Sequence, residues 1–220
     1  MLSWLRTPLA SIARATPRRF LSASARTCPK CGAPLPTALP ACPACRFIAP
    51  VAPDTSWHQL LDQPDARNPF AVDRKALRAA FLRAQQVCHP DVWAGQPRDS
   101  QDLASAHSAL LNTAFKALSD PRQRAEYILA QNGRGAEERD SLDDPEFVMS
   151  VMDSREQLEE CESEEERAEI AEANRDEMHA TVARIKELIG QRDWDAAKTE
   201  TIKLKYLEGI DAAARGVEHH

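Results

Sequence analysis

At 220 residues the chain has room for one or two small domains, and 5% aromatic residues, seven Gly and long Ala/Glu/Arg/Leu runs favour helices over sheet. The formal net charge of −6 is unevenly spread: residues 1–53 hold seven basic side chains and no acid, which leaves the remainder at net −13. That acidic body argues against a nucleic-acid binder, and no run approaches the roughly 18 apolar residues that a membrane span needs.

Residues 1–26 are rich in Arg and Ser/Thr, lack Asp and Glu, and are interrupted by Arg6, Pro8, Arg14 and Pro17. This is the composition of a mitochondrial transit peptide, and it lacks the apolar core of a secretory signal. It predicts import into the mitochondrial matrix. A disordered basic tail or a nucleic-acid arm is the alternative, and the cleavage site near Arg19-Phe20-Leu21-Ser22 is not fixed.

Residues 27–53 carry Cys28-Pro29-Lys30-Cys31 and Cys42-Pro43-Ala44-Cys45, ten residues apart. Two such knuckles bring four thiolates to one point, the closed tetrahedral geometry of a structural zinc ion. Gly32 suits the knuckle turn because it tolerates positive φ, whereas the second knuckle has Arg46 there. With only Leu35, Leu39 and three Pro between the pairs, the segment is not expected to fold without metal. An iron site and a redox role remain open. Cys88 and Cys161 read as small buried hydrophobes, and Pro40 with the Pro50–Pro53 stretch as a semi-rigid linker.

A basic amphipathic helix follows within Ala71–Cys88, with Leu77, Ala80, Phe81, Ala84 and Val87 as its apolar stripe and Asp73 as N-cap. Pro90 ends it by restricting His89 to extended backbone. Leu103, His107, Leu110, Leu111, Ala114 and Leu118 mark a second helix, which stops before Asp120-Pro121. No nucleophile or second carboxylate is spaced to join His89 and Asp91 in acid–base work. A recognition role fits better: His89, Pro90 and Asp91 form a rigid turn beside a cationic face of Arg74, Lys75, Arg78 and Arg83, suited to an acidic partner. An ordinary solvated face is the alternative for those four cations. Two helices pinning a His-Pro-Asp loop resemble the J-domain, the module that stimulates the ATPase of DnaK-type chaperones. Val92 after the Asp, and Trp57-His58-Gln59-Leu60-Leu61 in place of a Tyr-x-x-Leu opening, depart from the common pattern and point to a specialised member.

Arg124-Ala125-Glu126-Tyr127-Ile128-Leu129 closes the J-domain region, residues 54–131. After Asn132-Gly133-Arg134-Gly135 and an acidic loop, three helices are expected within residues 140–216. Asp144-Pro145 opens the first. A Ser163-Glu166 capping box opens the second, which ends at Gly190, and Asp193 caps the third. Short loops between long helices imply an antiparallel three-helix bundle, so the expected fold is all-α: a J-domain hairpin plus a bundle, behind a small four-cysteine zinc module. On the first bundle helix, Phe147, Val151, Ser154, Leu158 and Cys161 share the core side. Val148, Met149, Met152, Glu156 and Glu160 face away, an apolar surface of the kind that accepts a partner or packs on the J-domain.

The His-Pro-Asp loop, Arg-Ala-Glu-Tyr-Ile-Leu, Asp-Pro-Glu-Phe-Val-Met and Lys205-Tyr206-Leu207-Glu208 together resemble the HscB-type J-proteins of iron–sulfur cluster assembly, over residues 54–216. Some mitochondrial members carry a paired-CxxC extension in front. The resemblance implies a non-enzymatic co-chaperone whose bundle binds an IscU-type scaffold protein and hands it to a DnaK-type chaperone. It places the scaffold contacts at Val148, Met149, Met152, Asp153, Glu156 and Glu160, with Tyr206 from the last helix. A thiol-disulfide oxidoreductase and a general-client J-protein are the competing functions, although no Gly-rich or β-rich client-binding region is present. Self-association as a homodimer is left open.

Overall fold

The computed structural model describes residues 26–63, 67–135, 137 and 142–216. The leader, residues 1–25, and the start of the bundle at residues 140–141 therefore lie outside the described residues. Eight helices are present among them: α1 (Trp57–Leu60), α2 (Arg74–Cys88), α3 (Pro90–Trp93), α4 (Arg98–Ser119), α5 (Pro121–Gln131), α6 (Pro145–Glu160), α7 (Glu164–Gln191) and α8 (Trp194–Ala214). Extended pairing among the described residues is limited to two isolated bridges, Thr27 with Pro34 and Ala41 with Ile48, so the chain is all-α in class. Among the described residues no helix is long and apolar enough to cross a membrane.

Local signals placed the helix starts. Asp73, Asp144 and Asp193 each accept a backbone N–H from the first turn that follows, and Pro145 supplies a preset φ at N1. Ser163 accepts from Glu166 N–H, but the Glu166 carboxylate takes the Glu162 N–H instead of closing a box on Ser163. The end of α7 also differs from expectation. Arg192, at φ 63, adopts the left-handed cap, while Gly190 stays helical. Gly190 is needed for closeness: a Cβ there would lie 2.9 Å from Asn68 Nδ2, which donates to Lys186 O.

Helices α2 and α4 form the expected hairpin. Leu77, Ala84, Val87, Leu111, Ala114 and Leu118 meet in one core, joined by Leu60, Leu61 and Trp93. The cysteine module shares that core, since Leu39 and Ala41 are fully buried within it and Ile48 and Val51 pack against it. The expected linker is thus a docked segment, because a module with so little apolar content of its own completes its burial on the hairpin. Arg26, assigned to the leader, belongs to it physically: its guanidinium donates to Asp62 at 2.9 Å and its carbonyl accepts from Leu35 N–H. Beneath the module, His107 is buried with neither ring nitrogen in a hydrogen bond. Desolvation lowers its pKa, and the Ala49 carbonyl opposes this from outside ordinary hydrogen-bond geometry.

The Arg124-to-Leu129 segment joins hairpin to bundle. Arg124 is buried, donates to Leu118 O and Phe70 O at 2.8 Å each, and lies over the Phe70 ring. Tyr127 stacks on Trp57 with centroids 4.0 Å apart and accepts the Trp57 N–H, so Trp57 performs a helix-opening role. Phe70, Ile128 and Leu129 pack with Ile185, Ile189, Ala197 and Leu204 of α7 and α8 in a second core. Val151 and Leu158 of α6 meet Leu207 and Ile210 of α8 in a third.

Candidate functional site

Three groups of predicted residues take up distinct places on this frame. The first is the cysteine cluster. The two knuckles repeat one turn: Gly32 N–H donates to Cys28 O and Arg46 N–H to Cys42 O, with φ of +72 and +57 at the two turn residues. Cys28 N–H and Cys42 N–H are likewise bonded to Ala33 O and Phe47 O. The four Sγ atoms of Cys28, Cys31, Cys42 and Cys45 all lie within 4.8 Å of one another and could hold a metal ion. Cys28 and Cys45 are 3.6 Å apart and Cys31 and Cys42 3.7 Å. A tetrahedral ion with Zn–S bonds of about 2.3 Å requires sulfur–sulfur edges of about 3.8 Å, so the spacing fits. It does not fit disulfides, whose S–S length is about 2.0 Å.

Desolvation works to raise the Cys28 thiol, but backbone N–H groups of Cys31 and Lys30, with the Cys45 and Cys31 side chains, bring it down to about 7. Cys45 is pushed up to about 12 by desolvation and by hydrogen bonds with Cys31, Cys28 and Cys42. A dication at the centre would favour the thiolate form of all four.

The second group is the His-Pro-Asp turn. His89 ends α2 with an extended backbone (φ −57, ψ 133) and caps α3, its Nδ1 accepting from Asp91 N–H at 3.3 Å. The Asp91 carboxylate stands 3.5 Å from the same ring nitrogen, with side-chain exposures of 53% for His89 and 89% for Asp91. Pro90 is exposed between them, and the predicted cations Arg74, Lys75, Arg78 and Arg83 are all exposed. None of the four forms an ion pair with a described residue. What fixes the turn is Trp93, fully buried, whose indole N–H donates to Val87 O at 2.9 Å. Sequence reasoning missed the role of Trp93, and also the exposure of Leu82, on α2 next to Arg83, and of Val92. For Leu82 the available signal was its spacing off the α2 core stripe.

The third group lies on α6 and α8. Met149 and Met152 are each 63% exposed and Tyr206 39%, unusual for large apolar side chains in a packed bundle. Asp153, Glu156 and Glu160 are exposed on the same helix, whereas Val148 is partly buried and is a less open position than the helical periodicity implies. Phe147 sits edge-on to Tyr206 with centroids 6.4 Å apart and under Lys203 Nζ at 5.3 Å, linking the two helices. The Met face is not covered by the hairpin. Beside it, a cleft of about 660 Å³ between α5 and α8 is lined by Arg122, Lys205, Tyr206 and Glu208, with Arg155 reaching across.

These placements agree with what the chain resembles. A family model described as the HSCB C-terminal oligomerisation domain matches residues 143–215. The mitochondrial J-type co-chaperone jac1 of Schizosaccharomyces pombe is 33% identical over 153 residues, 69% of this chain and 67% of its own length. The co-chaperone protein HscB homolog of Mannheimia succiniciproducens is 31% identical over 159 residues, 68% of this chain and 89% of its own. The chain belongs to the HscB/Jac1 co-chaperone family. The human family member, named an iron–sulfur cluster co-chaperone, is 28% identical over 171 residues. The crystal structure of human HscB aligns with a TM-score of 0.74, covering 86% of this chain and 97% of that one. The family model thus lies on α6, α7 and α8, the helices that carry the Met face.

Proposed function

We propose that this HscB-family protein is an adaptor without an active site of its own. It binds an IscU-type scaffold protein through its bundle and delivers it to a mitochondrial DnaK-type chaperone, stimulating that chaperone's ATPase for iron–sulfur cluster transfer. In this reading residues 26–53 form the metal module, 54–131 the J-domain and 140–216 the scaffold-binding bundle, behind a matrix-targeting leader that ends before Arg26. The observation that carries it is the coexistence of an exposed His-Pro-Asp turn and a separate exposed Met149–Met152 face on one frame. His89, Pro90 and Asp91, with Arg74, Lys75, Arg78 and Arg83, meet the chaperone. Val148, Met149, Met152, Asp153, Glu156, Glu160 and Tyr206 meet the scaffold.

Capture of the IscU-type scaffold by the mature chain tests this reading, and a chain that retains no scaffold contradicts it. The matched family domain is described as an oligomerisation domain, so another copy of this chain is the alternative partner of the bundle, and sedimentation of the free protein tests for it.

In the same reading the metal is zinc, held by Cys28, Cys31, Cys42 and Cys45; a four-sulfur closed site leaves no open position for chemistry, which supports a structural role. Replacing Cys28 and Cys31 by Ser is expected to remove one zinc per chain. Since Leu39 and Ala41 are core residues of the hairpin, the loss should also lower the melting temperature of the helices. Metal analysis beside calorimetry checks this, and an unchanged helical melt in a zinc-free variant would contradict the shared core.

A further inference from the structure

The second knuckle reaches the His-Pro-Asp turn. Arg46, the residue directly after Cys45, donates from Nη1 to Val92 O at 3.2 Å, and its guanidinium lies 6.0 Å from the centre of the Trp93 ring. Val92 and Trp93 are the two residues that follow Asp91. The turn is therefore held twice, from inside by the Trp93 indole on Val87 O and from outside by Arg46.

The position of Arg46 depends on the metal site. Its backbone is left-handed at φ 57, and its N–H closes the knuckle on Cys42 O. Side chains with a Cβ rarely adopt that conformation. The equivalent residue of the first knuckle is Gly32, which adopts φ 72 without strain. The chain thus places an arginine at a position better suited to glycine, and that arginine's side chain is the one that touches the turn. Four cysteines bound to one ion would hold the knuckle in this turn, and losing the ion would release it.

We propose that Arg46 is a positioning residue for the His-Pro-Asp turn, through which metal occupancy of the cysteine module governs how well the turn engages its partner. The proposal rests on the reading that this turn stimulates a DnaK-type ATPase. Arg46 need not touch that partner. It restricts the carbonyl of Val92 and the plane of Trp93, and so limits the orientations open to Asp91.

Arg46→Gly separates this role from a structural one, because it relieves the backbone strain of the knuckle while removing the side chain. In the full mature chain the variant should keep its zinc and melt at or above the wild-type temperature. The concentration giving half-maximal ATPase stimulation should nevertheless rise about fivefold, the scale of one lost charge-assisted contact. The amide resonances of Asp91 and Val92 should shift, and zinc removal from the wild type should move them in the same direction, beside the wider changes that undocking of Leu39 and Ala41 brings. Arg46→Lys, which keeps a donor, should recover part of the loss. A wild-type half-maximal concentration in Arg46→Gly overturns the proposal, as does a loss that appears only together with zinc loss or unfolding. His89→Gln run in parallel distinguishes the failures: if it too stimulates normally, the chaperone reading itself has failed, whereas an inactive His89→Gln beside a normal Arg46→Gly removes only the role of Arg46.

Discussion

His89→Gln is expected to abolish stimulation of the DnaK-type ATPase while leaving the helices intact. The His89 side chain is 53% exposed, and its polar contacts among the described residues are to Asp91, as an acceptor for the Asp91 N–H and a neighbour of its carboxylate. Nothing in the hairpin core rests on it, so the stability change should stay within about 0.5 kcal/mol. The turn keeps its shape through Trp93 and Val87, which the substitution does not touch. What changes is the chemistry offered to a partner: a planar ring held against Asp91 becomes a flexible amide. Loss of more than about tenfold in maximal stimulation with superimposable circular dichroism is the expected result. Equal stimulation by mutant and wild type would remove the chaperone assignment.

The second large effect concerns the face of α6. Met149 and Met152 each project 63% into solvent, whereas Val151 and Leu158 on the opposite side are 5% exposed. Replacing both methionines by Ala removes little buried contact, and Ala is at least as good a helix former, so melting should hardly move. If both anchor the scaffold, each truncation should cost about 1–2 kcal/mol of binding, which is roughly 5–30-fold in Kd per residue. Leu158→Ala should do the reverse, costing about 2–5 kcal/mol of stability through the cavity it opens against Leu207 and Ile210. Val148 is left out because its partial burial mixes the two effects. Scaffold titrations beside calorimetric melts decide the matter. A double mutant that binds normally and melts early would mean that the face serves the fold.

How far such a face can be read in advance depends on the range of the forces that make it. Asp73, Asp144, Ser163 and Asp193 act within one turn of their own helices, so their capping was legible from residue order alone. The apolar periods of α2, α4 and α6 were legible for the same reason, since a helix converts spacing directly into angle. Angle does not reveal neighbours. Val148 points away from the α6 core but is partly buried, and a helical wheel contains no information on that. Gly190 looks like a helix end in sequence, yet its small size serves the approach of Asn68, a residue far away in the chain. The docking of Leu39 and Ala41 under the hairpin escaped notice because a Pro-rich segment resembles a linker until its burial is known. Arg46 stood out only as the residue that replaced a glycine, and its contact with Val92 spans 46 positions.

Adaptor function makes a demand that neither interface meets alone, because the hairpin and the bundle must act on one partner at the same time. The direct test is the ATPase of the DnaK-type chaperone in the presence of the IscU-type scaffold, this protein, or both. Joint addition should stimulate well beyond the sum of the separate effects, and Met149→Ala with Met152→Ala should abolish the excess while sparing the stimulation by this protein alone. Strictly additive stimulation, unaltered by the methionine substitutions, would contradict the claim that one frame carries the scaffold to the chaperone.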